Sequence, residues 1–217
     1  MKYSRDNPSP RYAELQVQYR AMHEKGESFL EIPPEQTFPG TSLRPQADRI
    51  KKLVERTAAR TLLDYGSGKG RQYDPQAIED GKGGKWPGII DYWDVDEVVC
   101  YDPAYGPYSK LPEGRFDGVI STDVLEHCPE DDIPWIIGEI FGYAERFVFA
   151  NVACYPARKR LPTGENAHCT IKPAEWWRAI CEEAAARRQG LLWQVWIDER
   201  VQTPQGPERV ENKIGNA

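Results

Sequence analysis

The sequence predicts an α/β fold, an open and mostly parallel sheet with helices packed against it, and three stretches carry that prediction. Leu62-Leu63-Asp64-Tyr65-Gly66-Ser67-Gly68-Lys69-Gly70 runs from two branched apolar residues through an acid into glycine at every second position. Glu97-Val98-Val99-Cys100-Tyr101 is a short apolar run that ends at Asp102. Phe116-Asp117-Gly118-Val119-Ile120-Ser121 leads through Thr122-Asp123-Val124-Leu125-Glu126-His127 into a helical pattern over 130–145. Strands alternating with helices make parallel βα units, and such sheets bind ligands outside the carboxyl ends of their strands. With 217 residues, the chain suits one domain over 46–217 with an N-terminal helix and irregular cap over 1–45.

Residues 10–26 read as a polar helix ended by Gly26, with Tyr12, Leu15, Tyr19 and Met22 on one apolar face. Pro33, Pro34, Pro39, Gly40 and Pro45 make 28–45 an irregular connector. Its segment Phe38-Pro39-Gly40-Thr41-Ser42-Leu43 reads either as a flap over a ligand or as a linker pinning the first helix to the core. Residues 46–59 predict an amphipathic helix with Ala47, Ile50, Leu53 and Val54 inward. A strand at 61–65 then enters the glycine turn. Glycines there would remove the Cβ atoms that hold a ligand off the backbone, and a helix beginning next would point free N–H groups at it.

Residues 71–95, with the glycine loop Gly81-Lys82-Gly83-Gly84-Lys85 and with Trp86, Tyr92 and Trp93, read as an inserted surface loop with aromatic anchors. Residues 97–101 predict a short buried strand. Val119 and Ile120 bury the strand at 116–121, and Asp123 emerges at its carboxyl end. Glu130, Asp131 and Asp132 suit the positive end of the helix that follows. The strand at 146–152 leads to a loop holding Arg158, Lys159, Arg160 and His168. Pro173 suits the first turn of a helix that runs to Arg188 and stops at Gly190. A strand at 191–197, a turn at 204–207 and a last strand at 209–214 close the chain.

The glycine spacing decides between ligand classes. A dinucleotide fingerprint needs G-x-G-x-x-G, and a P-loop needs G-x-x-x-x-G-K-[ST]. Here Arg71 and Gln72 follow Gly70, so neither is met. The acid followed by G-x-G-x-G resembles motif I of the class I S-adenosyl-L-methionine (SAM)-dependent methyltransferases. The segment F-D-x-V-x-x-x-x-V-L-E-H, from Phe116 to His127, resembles their fourth-strand segment.

The resemblance covers roughly 46–214. It implies a three-layer, Rossmann-like fold whose seven-stranded, mostly parallel sheet ends in an antiparallel edge hairpin. It implies SAM as cofactor and methyl transfer to a small molecule. Asp64, Tyr65, Gly66, Ser67, Gly68, Gly70, Pro103 and Asp123 would line the cofactor site, Asp64 at the methionine end and Asp102 on the ribose hydroxyls. Asp123, His127 and His168 would be the catalytic candidates, the histidines as bases at the acceptor. Residues 103–115 leave little room for a helix and third strand, so the usual adenine-holding acid has no counterpart.

Other readings attach to the same residues. Asp102-Pro103-Ala104-Tyr105 resembles the D-P-P-Y tetrad of nucleic-acid and protein amino-methyltransferases, although that tetrad belongs after the fourth strand. A non-catalytic SAM-binding module and a nicotinamide oxidoreductase are further alternatives. His127-Cys128, Cys154 and His168-Cys169 fit no C-x-x-C or H-x-x-x-H ligand spacing, so no metal is expected. Five cysteines without a C-x-x-C pair suggest reduced thiols, and with no secretory leader a cytoplasmic protein. A net charge of −6 disfavours nucleic acid as a partner, though Arg158, Lys159 and Arg160 could bind an anionic acceptor. No apolar run approaches the ~20 residues of a membrane span.

Overall fold

The structure is a computed structural model, and it describes residues 2–79, 83–203 and 205–217. Gly81 and Lys82 of the expected glycine loop, and Pro204 of the expected turn, lie outside the described residues. Helix α1 spans Pro10–Lys25, with the Ser9 side chain accepting from the Tyr12 N–H at its start and Gly26 at its end. Two 3-10 turns, Pro34–Gln36 and Thr41–Gln46, lead into α2, Ala47–Thr57. Strand β1 is Thr61–Tyr65, the small hairpin is β2, Ile78–Glu79, with β3, Lys85–Trp86, and α3 is Ile89–Trp93. Strands β4, Glu97–Tyr101, and β5, Phe116–Thr122, precede α4, Ile133–Tyr143. Strand β6 is Ala144–Cys154, α5 is Ala174–Ala186, and β7, Leu192–Thr203, pairs with β8, Gly206–Gly215.

The main sheet has the order β4-β1-β5-β6-β7-β8. All neighbours are parallel except β7 and β8, which form the expected antiparallel hairpin at the edge. Pleat alternation sends successive residues to opposite faces. Leu63, Val119, Val148 and Val195 therefore pack with Ile136, Ile140 and Trp177 of α4 and α5. Leu62, Ile120, Phe147 and Phe149 pack with Ile50, Leu53 and Trp93 of α2 and α3. The inward residues expected on α1 and α2 are all buried.

Four expectations are corrected. The sheet has six strands among the described residues rather than seven. Pro103, Gly106, Pro107, Pro112 and Gly114 break the 103–115 segment, which holds only a 3-10 turn at Gly106–Tyr108. Strand β4 therefore has no outer neighbour, and Val98, Val99 and Cys100 are half-buried rather than buried. No α-helix follows the glycine turn either, only a 3-10 turn at Arg71–Tyr73. Pro75 forces the preceding Asp74 into an extended conformation (ψ 142°), which stops a helix before it forms. Pro173 caps α5 from outside rather than opening its first turn.

Segment 2–9 is tied across the carboxyl end of the sheet. Arg5 donates to Glu139 Oε1 (2.8 Å), to Tyr101 Oη (2.9 Å) and to Tyr65 Oη (2.8 Å). Buried Asp132 accepts from the Ser9 N–H at 3.0 Å and from Trp135 Nε1 at 2.8 Å.

Gly118 tests the packing of the central strand. A Cβ there would lie 2.3 Å from the Phe147 ring and 2.7 Å from Leu62 Cδ2. Gly118→Ala should lower stability by about 1–3 kcal/mol through overpacking, read as a lower urea midpoint at unchanged m-value.

Candidate active site

The glycine turn is held from three sides. The Gly66 and Ser67 N–H groups both donate to the Tyr101 carbonyl (2.7 and 3.0 Å), and the Gly68 N–H donates to Asp102 Oδ2 at 3.0 Å. Gly68 is left-handed at φ 57°, and a Cβ on it would meet the Phe38 carbonyl at 2.4 Å. At Gly66, with φ 89°, a Cβ would strike the Val124 side chain at 2.4 Å. The glycines thus admit the 38–42 segment and the β5 loop, whereas the sequence reading reserved that space for a ligand. The Lys69 N–H donates to the Phe38 carbonyl (2.9 Å) and the Arg71 N–H to that of Pro39 (3.0 Å).

A cleft opens beside this turn at the carboxyl ends of β1, β4 and β5. Tyr65, Gly66, Gly68, Asp102, Pro103 and Asp123 line it, and α1 contributes Tyr19 and His23 to the opposite wall. Ser67, Gly70 and Asp64 are not on that wall. Asp64 lies beneath the turn, 1% exposed, where Gln72 Nε2 (2.7 Å) and Tyr73 Oη (2.9 Å) donate to its Oδ2. Burial pushes its pKa up to about 7 against those two hydrogen bonds. Asp102 spans the junction of β1 and β4, with the Ala104 N–H on Oδ1 (2.9 Å) and the Gly68 N–H on Oδ2. Burial holds its pKa above the ordinary range.

A second cavity adjoins the first and shares Phe38, Asp123, His127 and Lys159 with it. Its other walls include Tyr155, Arg158, His168 and Arg200. The chain has three histidines, and each lines at least one of the two cavities. His127 and His168 meet edge to face with ring centroids 4.8 Å apart. His127 Nδ1 lies 2.9 Å from the Ala167 carbonyl, and His168 Nδ1 lies 2.6 Å from the Tyr155 carbonyl. A carbonyl only accepts, so both rings carry the proton on Nδ1 and present a lone pair at Nε2. Desolvation lowers both pKa values, that of His127 to about 4.

Asp123 follows β5 in a left-handed conformation, φ 60°, which turns it into the space between the cavities. Burial pushes its pKa up, but His127, Glu126, His168 and a hydrogen bond from Ser42 (3.0 Å) outweigh that and hold it below the usual range. The structure therefore brings the three catalytic candidates together. Sequence reading missed Tyr19, His23 and Glu126. His23 belongs to a helix whose polar sequence carried no site signal, and burial beside Lys69 lowers its pKa to about 3. The tetrad-like Asp102–Tyr105 segment follows β4 rather than β5, and Tyr105 packs on His23 and Tyr108.

No family profile and no curated protein matches the chain. Among solved structures it is similar to Burkholderia thailandensis 1,6-didemethyltoxoflavin-N1-methyltransferase with bound 1,6-didemethyltoxoflavin and S-adenosylhomocysteine. The TM-score is 0.53 at 13% identity, over 94% of this chain and 88% of that one. The likeness shows the fold, a mostly parallel, Rossmann-like α/β sheet.

Asp64 gives a pH test of this buried architecture. It keeps its proton to about pH 7 when folded, against 3.8 for a free carboxyl, so stability falls as pH rises across that window. Asp64→Asn cannot ionise, and the constant cost of its amide cancels in a comparison between pH values. Its stability relative to wild type should rise by on the order of 1–3 kcal/mol between pH ~5 and ~8, measured by urea unfolding.

Proposed function

We propose that the chain is a SAM-dependent methyltransferase that binds its cofactor in the first cavity and a small-molecule acceptor in the second. The observation that carries this reading is the meeting of the two cavities at Asp123, His127, Phe38 and Lys159. A donor and an acceptor held on either side of that joint are brought together in one orientation, which is the main source of rate in such a transfer. The structural neighbour with S-adenosylhomocysteine bound supports the choice of cofactor.

Each Asp102 oxygen accepts one backbone N–H on the cleft wall and retains capacity for another donor, such as a ribose hydroxyl. Tyr65, Gly66, Gly68 and Pro103 would form the floor. Asp64, Ser67 and Gly70 would act through the turn they support. When bound, the cofactor supplies an electrophilic methyl on a sulfonium. His127 and His168, neutral and with free Nε2 atoms, are placed to orient an acceptor or take its proton. Arg158, Lys159 and Arg200 give the second cavity a cationic side that suits an anionic acceptor.

Calorimetric titration tests the reading. SAM and S-adenosylhomocysteine should bind wild type with micromolar dissociation constants, and NAD should not bind. Asp102→Asn should weaken the two adenosyl ligands about tenfold, close to 1.4 kcal/mol. Absence of SAM binding to wild type overturns the proposal. Binding without turnover over an acceptor screen that includes anionic small molecules would make the chain a SAM-binding module.

A further inference from the structure

The sequence spacing pointed away from a metal, yet folding gathers a donor set that no local pattern announces. One oxygen each of Asp123 and Glu126 and one ring nitrogen of His168 lie within 4.8 Å of one another. Asp123 ends β5, Glu126 sits in the 3-10 turn Leu125–His127, and His168 comes from the loop between β6 and α5. We propose that Asp123, Glu126 and His168, with His127 beside them, hold a divalent first-row transition-metal ion at the joint of the two cavities.

Glu126 makes the strongest case. It is fully buried, its Oε1 accepts the Ala153 N–H at 2.6 Å, and its Oε2 meets no protein donor among the described residues unless the carboxyl shares a proton with Asp123. A buried carboxylate beside another carboxylate is costly unless a proton or a cation neutralises the pair. The histidines supply the second argument. A metal-binding imidazole commonly donates its other N–H to a backbone carbonyl, which fixes the ring and its tautomer. His168 does so toward Tyr155 and His127 toward Ala167. Carboxylate with imidazole suits ions from Mn²⁺ to Zn²⁺, with no thiolate in the set. Asp123 and His127 face both cavities, so the ion would take an acceptor oxygen or nitrogen as a further ligand and hold it against the donor side. That last role rests on the methyltransferase reading; binding of the ion does not.

The experiment uses the full chain, stripped with chelator and free of SAM, titrated with Mn²⁺ and separately with Zn²⁺. One ion should bind per chain, with a rise in melting temperature that EDTA reverses and a change in the Mn²⁺ paramagnetic resonance signal. Glu126→Gln and His168→Gln should each weaken binding about ten- to a hundredfold or more while circular dichroism stays native. Glu183→Gln, exposed on α5 outside both cavities, should leave it unchanged. Failure of both ions to bind wild type below millimolar concentration overturns the proposal and leaves a carboxyl pair that shares a proton. Native-like variants that bind as tightly as wild type overturn it equally. Asp123→Asn, on the half-exposed residue of the set, supplies the ligand test if the two buried substitutions do not fold. A SAM titration on the same samples separates failure of this proposal from failure of the cofactor assignment.

Discussion

Desolvation of carboxylates is the constraint around which this end of the molecule is built. Asp64, Asp102, Asp123 and Glu126 all lie at or just beyond the carboxyl ends of β1, β4 and β5, and Asp64 and Glu126 are almost wholly buried. Charge taken out of water must be neutralised or solvated by the protein. Each acid is met differently. Gln72 and Tyr73 donate to Asp64, the backbone of Gly68 and Ala104 donates to Asp102, and the Ala153 N–H donates to one oxygen of Glu126. Asp123 is held ionised among histidines. These contacts also set the loop shapes, because the donors, apart from Ala153 in β6, come from the turns that leave β1 and β4.

That arrangement explains what the sequence disclosed and what it withheld. Strand identity was legible, since apolar runs such as Leu62-Leu63 and Val119-Ile120 admit few alternatives in a sheet covered on both faces. The glycine turn and Asp123 were legible as features of strand ends. The lack of room for a helix and strand in 103–115 was legible from its length, although the seven-strand count implied by the resemblance was not adjusted for it. The helix that the glycine turn would have opened after Gly70 does not form, because the residue before Pro75 is barred from helical geometry. Glu126 was read as part of a strand-to-helix motif and not as a polar group in its own right. Its significance is tertiary, because it depends on Ala153 and His168, which reach it from β6 and the loop beyond.

The glycines show the same division between pattern and cause. Their spacing correctly marked a close approach, but the groups that approach are protein. Phe38 packs its carbonyl over Gly68, and Val124 packs against Gly66. The N-terminal segment is consequently part of the cleft, with Tyr19, His23 and Phe38 forming a wall that β-strand residues alone would leave open. Of the two readings of 38–43, the backbone bonds from Lys69 and Arg71 satisfy the linker, and the position of Phe38 and Ser42 beside Asp123 satisfies the flap. One segment does both because its carbonyls bind the turn while its side chains face the cavity.

Neutral histidines follow from the same physics and bear on any chemistry done here. His23, His127 and His168 are all pushed toward the uncharged form by burial, with nearby cationic groups adding to the effect. Near neutral pH each therefore offers a lone pair or an N–H rather than a positive charge. Lys159 and the arginines of the second cavity are left as its source of positive charge. Imidazole and carboxylate gather at the joint together with Lys159, whereas the guanidinium groups of Arg158 and Arg200 lie along the second cavity alone. A site organised in that way can bind a negatively charged molecule through one set of residues and hold the reacting atom with the other, so affinity and orientation need not compete for the same side chains.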